Sequence, residues 1–98
     1  MTFYVPSLGA CGQVSLPTDY VASLPASMFD PSPGGNPNNN KNCGRKIKVT
    51  RGANSVVVTV VDRCSGCKRG DLEISPTAFQ QLAPLTAGRI LATWVFVR

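Results

Sequence analysis

The chain has 98 residues, a net charge of +5, four cysteines and no histidine. Its length gives one domain (residues 1–98), near the lower end of what buries a self-sufficient core. The missing histidine excludes Ser-His-Asp and Cys-His catalysis and any histidine base. No apolar run approaches the roughly 18–20 residues of a membrane helix, so no membrane partner is expected. An even set of cysteines in so short a chain is the pattern of a disulfide-stapled secreted protein. Cys64 and Cys67 have C-x-x-C spacing, but Cys11 and Cys43 stand alone, which is a poor match to a zinc site built from two tight pairs. The C-x-x-C does not open a helix in a βαβ pattern, which argues against thioredoxin-like chemistry. No metal or cofactor is expected.

Taken in order, residues 2–5 (TFYV) are β-branched and aromatic and read as a first strand ended by Pro6. Residues 7–12 (SLGACG) form a glycine-rich loop carrying the first cysteine. Residues 20–23 are a short strand, and residues 25–29 a single helical turn with Pro25 at its first position. Residues 30–42 (DPSPGGNPNNNKN) bury no apolar area and are rich in turn formers, so they read as a long surface loop. Such a loop is either a connector tied down by Cys43 or an amide-rich rim beside a groove. Residues 46–50 alternate, with Ile47 and Val49 inward. A turn at 52–54 then leads into a strand over 55–61, making a hairpin. Valines 56, 58 and 60 on one face and 57 and 61 on the other suggest a strand covered on both sides. A helix begins after Ser75, a good N-cap, with Pro76 in its first turn and Phe79, Leu82 and Ala83 on one face. Pro84 stops it. The final segment, 89–98, alternates and places Trp94 and Phe96 together, with Trp94 assigned to the core. The whole reads as mostly β, a small closed barrel or sandwich.

The segment over residues 56–74 (VVVTVVDRCSGCKRGDLEI) concentrates the chemistry. Its strand delivers Asp62, a two-cysteine loop follows, and Glu73 stands between Leu72 and Ile74. With no histidine, acid–base work falls to Asp19, Asp30, Asp62, Asp71 and Glu73. The competing reading of Asp62 is a structural carboxylate paired with Arg63, Thr2 or backbone N–H groups. The net charge of +5 reads first as a soluble cationic surface, and alternatively as favouring an anionic or polar partner such as acidic glycan through basic residues that include Arg45, Lys46, Lys48 and Arg51. They are scattered and aromatics are few, so nucleic acid is not expected.

Several pieces together carry a family resemblance: TFY at 2–4, GACG at 9–12, NPNNNKNCG at 36–44, VVVTVVDRCSGC at 56–67, DLEISPTAF at 71–79 and TWVF at 93–96. The chain resembles the single-domain double-psi β-barrel proteins related to expansins, barwin and rare lipoprotein A. This implies a six-stranded double-psi β-barrel with one or two short helices. Two subfamilies are similar: the expansin-like loosenins, and the papain-inhibitor type, which shares GACG, NPNN, the two-cysteine loop and the LAPL and TWVFVR segments. In expansin-like domains a Thr and an aromatic of the first strand, an Asp after the central strand and an Asp in an L-D-L-S motif line a polysaccharide groove. The resemblance puts Thr2, Tyr4 and Asp62 in those positions and Glu73 in the last, where Glu carries its charge one methylene further out. Tyr4 is expected as an exposed platform for a sugar ring.

The resemblance also implies disulfides Cys11–Cys43 and Cys64–Cys67, although four cysteines allow three connectivities. The first would close about 33 residues, contributing roughly 3.7 kcal/mol in the chain-entropy account, and the second about four residues and roughly 2 kcal/mol. The function expected first is secreted, extracellular, monomeric and non-hydrolytic: binding and loosening of wall polysaccharide such as cellulose or chitin through Thr2, Tyr4, Asp62 and Glu73. Met1 leads directly into TFYV and reads as a start added to a processed mature domain. The alternative is a papain-type cysteine-protease inhibitor using loops 6–12 or 64–70. A lesser alternative is weak lytic cleavage of glycan with Asp62 catalytic.

Overall fold

The computed structural model describes residues 1–29, 41–68 and 70–97. In chain order the elements are β1 (Thr2–Phe3), β2 (Val21–Pro25), α1 (Ala26–Phe29), β3 (Lys46–Arg51), β4 (Asn54–Cys64), β5 (Glu73–Ile74), α2 (Pro76–Gln80), a 3-10 turn (Leu85–Ala87) and β6 (Thr93–Val97). The six strands make one mixed sheet in the order β1-β5-β2-β4-β3-β6. The result is a half-barrel with two short helices, consistent with the expected double-psi β-barrel.

The β3–β4 hairpin forms for the predicted reason. Ile47 and Val49 alternate inward against Val56 and Val58, which stand opposite them in register. Arg51 faces Asn54 across a two-residue turn, and Gly52 adopts a φ of 59°. A positive φ at the first turn position matches strand twist and is open to glycine at no steric cost. β4 differs from expectation in two ways. Val57 is exposed, so both faces are covered only toward Val60 and Val61. The strand also continues through Cys64, with a register shift that leaves Val61 without a partner on β2. Asp62 therefore projects from within a strand and not from the loop beyond it.

β2 is wholly buried and central, running parallel to β4 and antiparallel to β5. It extends to Pro25, because the residue before a proline is held extended and Leu24 stays in the strand. The helical turn consequently starts at Ala26. Of the predicted surface loop, residues 30–40 lie outside the described residues. Asn42 is buried and its Nδ2 donates to the Met28 and Phe29 carbonyls at the end of α1, at 3.2 and 3.3 Å.

α2 covers the barrel with Ala78 and Phe79, and Leu82 and Ala83 follow it into the core. Phe79 meets Phe3 edge-to-face at 5.0 Å between centroids. Burying one such ring contributes roughly 1.5–3 kcal/mol. Ser75 precedes the helix, but its side chain does not cap it. It is fully buried, and its Oγ instead accepts from Val21 N–H at 3.5 Å, tying β2 to the helix start. Trp94, expected in the core, packs against it as a partly buried side chain. It is half-buried at the rim, donates through Nε1 to the Gly70 carbonyl at 3.0 Å and packs edge-to-face on Phe96 at 5.5 Å. An indole N–H needs a partner, and the one it finds lies at the surface.

The barrel seam closes where the segment before β6 meets β1. Thr2 bridges Arg89, and Ile90 N–H donates to the Met1 carbonyl at 3.0 Å. Asp71 bonds both sides, pairing with the Met1 amino group at 2.9 Å and Arg89 at 2.8 Å. Burial alone would raise its pKa, but those two partners and the Leu72 N–H outweigh burial and hold it at about 2 against an ordinary 3.8. A folded value below the unfolded one contributes stability above that unfolded value, and the contribution is lost as pH falls from 3.8 toward 2. Asp71→Asn is expected to lower the denaturation midpoint near neutral pH and to flatten the acid limb of stability across that window. Denaturant titrations at a series of pH values measure both effects.

Candidate functional site

Strand register sets four polar side chains in one row across four adjacent strands. Thr2 faces Glu73, Glu73 faces Ser23, and Ser23 faces Asp62. Residues directly opposed across a ladder share a face. At about 4.8 Å per strand, Asp62 and Glu73 stand roughly 9.6 Å apart at the backbone. Tyr4 is two residues beyond Thr2, and its N–H donates to the Ile74 carbonyl at 3.0 Å, which carries the chain on beside β5. The four residues picked from the sequence are thus brought together. Ser23, buried between the two acids, was missed, although a lone hydroxyl within the apolar run of β2 was the available signal.

The environments of the four differ. Asp62 Oδ1 accepts from Ala10 N–H at 2.8 Å and Arg63 N–H at 2.7 Å, so one of its oxygens is committed to the fold. Glu73 accepts a long bond from Thr2 Oγ1 at 3.4 Å. Tyr4 corrects the expected exposed platform: its ring is half-buried, and its hydroxyl is enclosed without a hydrogen-bond partner among the described residues. Burial raises the phenol pKa, and the charges of Asp62 and Glu73 raise it further. Tyr4 is therefore a neutral O–H donor held near two carboxylates.

Beside this row lies an open cleft of about 570 Å³, lined by Thr2, Glu73, the loop from Cys64 to Cys67, Arg63, Asp71 and Arg89. Both expected disulfides are present, Cys11–Cys43 and Cys64–Cys67. A Glu73 carboxylate oxygen and the sulfurs of Cys64 and Cys67 all lie within 4.8 Å of one another. With those sulfurs joined, Glu73 is the one ionisable group of the three, and the disulfide acts as an apolar wall beside it. Arg89 and Asp71, absent from the sequence-derived site, supply a charged rim that long-range pairing across the seam places there.

On the other side of Asp62, residues 7–15 fold back as a small hairpin. Leu8 bridges Val14, Gly9 N–H donates to the Gln13 carbonyl at 3.0 Å, and Ser15 N–H to the Ser7 carbonyl at 2.9 Å. The hairpin is pressed onto β4. A Cβ on Gly9 would lie 2.3 Å from the Val61 carbonyl oxygen, and Cys11 N–H donates to that same oxygen at 3.2 Å.

If the Tyr4 hydroxyl is unpaired, Tyr4→Phe removes an unsatisfied buried group and leaves the packing intact. Stability is then expected to be unchanged or higher by up to about 1 kcal/mol. Urea denaturation checks this, and a loss of more than about 1 kcal/mol would mean that the hydroxyl has a partner.

Residues 2–94 match the double-psi β-barrel family described as lytic transglycolase. The chain is similar along its whole length to a papain inhibitor of Streptomyces mobaraensis, 34% identical, and spans 69% of that sequence. The solved Streptomyces papain inhibitor superposes with a TM-score of 0.91, covering all of this chain and 90% of that one. An expansin of Clavibacter michiganensis is 29% identical over 99% of this chain and 48% of its own, with a TM-score of 0.80. An Asp-to-Asn variant of that expansin, solved in complex with cellohexaose, superposes at 0.79. An allergen of Aspergillus fumigatus is 42% identical over 55 residues, 55% of this chain and 20% of the allergen. On these grounds the chain belongs to the double-psi β-barrel family.

Proposed function

We propose that the protein is an inhibitor of papain-type cysteine proteases. The observation that carries this reading is the likeness to the papain inhibitor, which runs through the entire chain at 34% identity and a TM-score of 0.91. The expansin likeness is lower in both measures and covers about half of its partner. An inhibitor needs a rigid surface, because every side chain ordered on binding lowers affinity. Two disulfides and a loop hydrogen-bonded to β4 support that requirement. Disulfides persist in oxidising compartments, which supports an extracellular setting. Titrating papain with the protein is expected to abolish activity at micromolar concentration, and an unchanged rate there rejects the reading.

A second reading, binding of wall polysaccharide, is favoured by the polar row of Thr2, Glu73, Ser23 and Asp62 and by the expansin solved with cellohexaose. Hydroxyl-rich ligands suit a row that offers the carboxylates of Glu73 and Asp62 and the hydroxyl of Thr2. Asp62 Oδ1 already holds two backbone N–H groups, which favours holding a glycan over cleaving it. Retention on insoluble cellulose or chitin at low salt, weakened at least about tenfold in Glu73→Ala, is the expected outcome; no retention on either polymer sinks this reading.

A further inference from the structure

We infer that the hairpin over residues 7–15 is the element that enters the protease cleft, with Leu8 and Val14 as its anchors and Asp62 as the residue that positions it. The inference rests on the inhibitor reading and names its contact surface.

Leu8 and Val14 are 68% and 73% exposed, and as bridge partners they put their side chains on one face of the hairpin. Leu16 follows two residues on at 59%, and Val5 precedes at 70%. Exposed apolar side chains scattered singly are ordinary. Leu8 and Val14 share one face of the hairpin, and Val5 and Leu16 flank it in sequence, an exposed apolar concentration of the kind that marks an interaction surface. The partner's chemistry follows from the hairpin itself: it carries no charged side chain between residues 5 and 16. Its occupant is an apolar, substrate-binding cleft, and the one protease class to which the full-length likeness points is papain-type.

The hairpin is also fixed before binding, which is what separates an anchor from a flexible apolar loop. Its turn is closed by Gly12 N–H on the Gly9 carbonyl at 3.0 Å, with Gly12 at a φ of 85°. Cys11 is bonded to Cys43, and Cys11 N–H reaches the Val61 carbonyl. Ala10 N–H donates to Asp62 Oδ1 at 2.8 Å. Asp62 thus acts on the protease through the hairpin, as a positioning residue, and the need is for an acceptor oxygen at that place, not for its charge.

The test is the inhibition constant for papain, measured for wild type and for Leu8→Asp, Val14→Asp, Asp62→Ala, Asp62→Asn and Leu91→Ser, with thermal unfolding of each as the folding control. Leu91 is 93% exposed and lies outside the hairpin, so it reports on exposed apolar surface in general. Leu8→Asp and Val14→Asp are expected to weaken inhibition at least about tenfold with little change in Tm, as loss of an interface anchor does. Leu91→Ser should leave the constant within about twofold. Asp62→Ala should weaken inhibition, and Asp62→Asn, which keeps an acceptor oxygen, should restore most of it. If wild type inhibits and both hairpin variants inhibit equally well, the inference is overturned while the inhibitor reading stands. If wild type does not inhibit, both fall. If Asp62→Asn is as weak as Asp62→Ala, the charge is needed and the positioning role is overturned.

Discussion

A missing side chain at position 9 sets the geometry of this molecule. The backbone of Gly9 approaches the Val61 carbonyl so closely that a Cβ would sit 2.3 Å from its oxygen, a distance that real Cβ atoms do not reach. That contact falls where β4 leaves Val61 without a partner in its ladder with β2. The freed Val61 carbonyl accepts from Cys11, and the next residue, Asp62, accepts from Ala10. Buried backbone carbonyls and carboxylates must be paired, and here one short loop pairs both. The Cys11–Cys43 disulfide then ties the loop to the segment whose Gly44 N–H bonds the Val60 carbonyl at 2.9 Å. An irregularity in one strand thereby anchors a hairpin, orients an acid and joins the two halves of the chain.

The same irregularity separates two surfaces. On one side stand the row of Thr2, Glu73, Ser23 and Asp62 and the open cleft walled by Cys64–Cys67. On the other stands an uncharged hairpin with two large apolar side chains outward. Asp62 belongs to both, with one oxygen given to the hairpin. On the readings proposed above, the row would take hydroxyl-rich ligands and the hairpin an apolar cleft. Both surfaces stand on one core of valines, Ile47, Ile74 and Phe79.

Much of this was legible in the sequence because it rests on local pattern. The alternation at 46–50 and 56–60 fixed the hairpin and its inward face. Ser75, Pro76 and the Phe79–Leu82–Ala83 spacing placed the helix, and the motif order pointed to the barrel and to Thr2, Tyr4, Asp62 and Glu73, three of which stand in the row. What was not legible depends on long-range pairing. The bulge at Val61 decides that Ser23 stands between the acids, and no residue in VVDR signals a bulge. Tyr4 was taken for an exposed ring because aromatics beside a groove often are; the closeness of Asp62 and Glu73 to an enclosed hydroxyl emerges only once three strands are assembled. Asp71 looked like one more loop acid, yet its partners, Met1 and Arg89, lie at opposite ends of the chain and meet at the seam. Trp94 shares a side with Phe96 and packs against the core as the alternation implied, while the surface carbonyl that its N–H finds was not legible.

The most direct test of this account is to follow the backbone amide resonances of the protein as papain is added. The account predicts that perturbation concentrates on the amides of residues 7–15, Leu8 and Val14 foremost, and reaches Asp62 through Ala10. The amides of Thr2, Glu73 and the loop from Cys64 to Cys67 should remain close to their free positions. Perturbation confined to that cleft, with the hairpin unmoved, would contradict it.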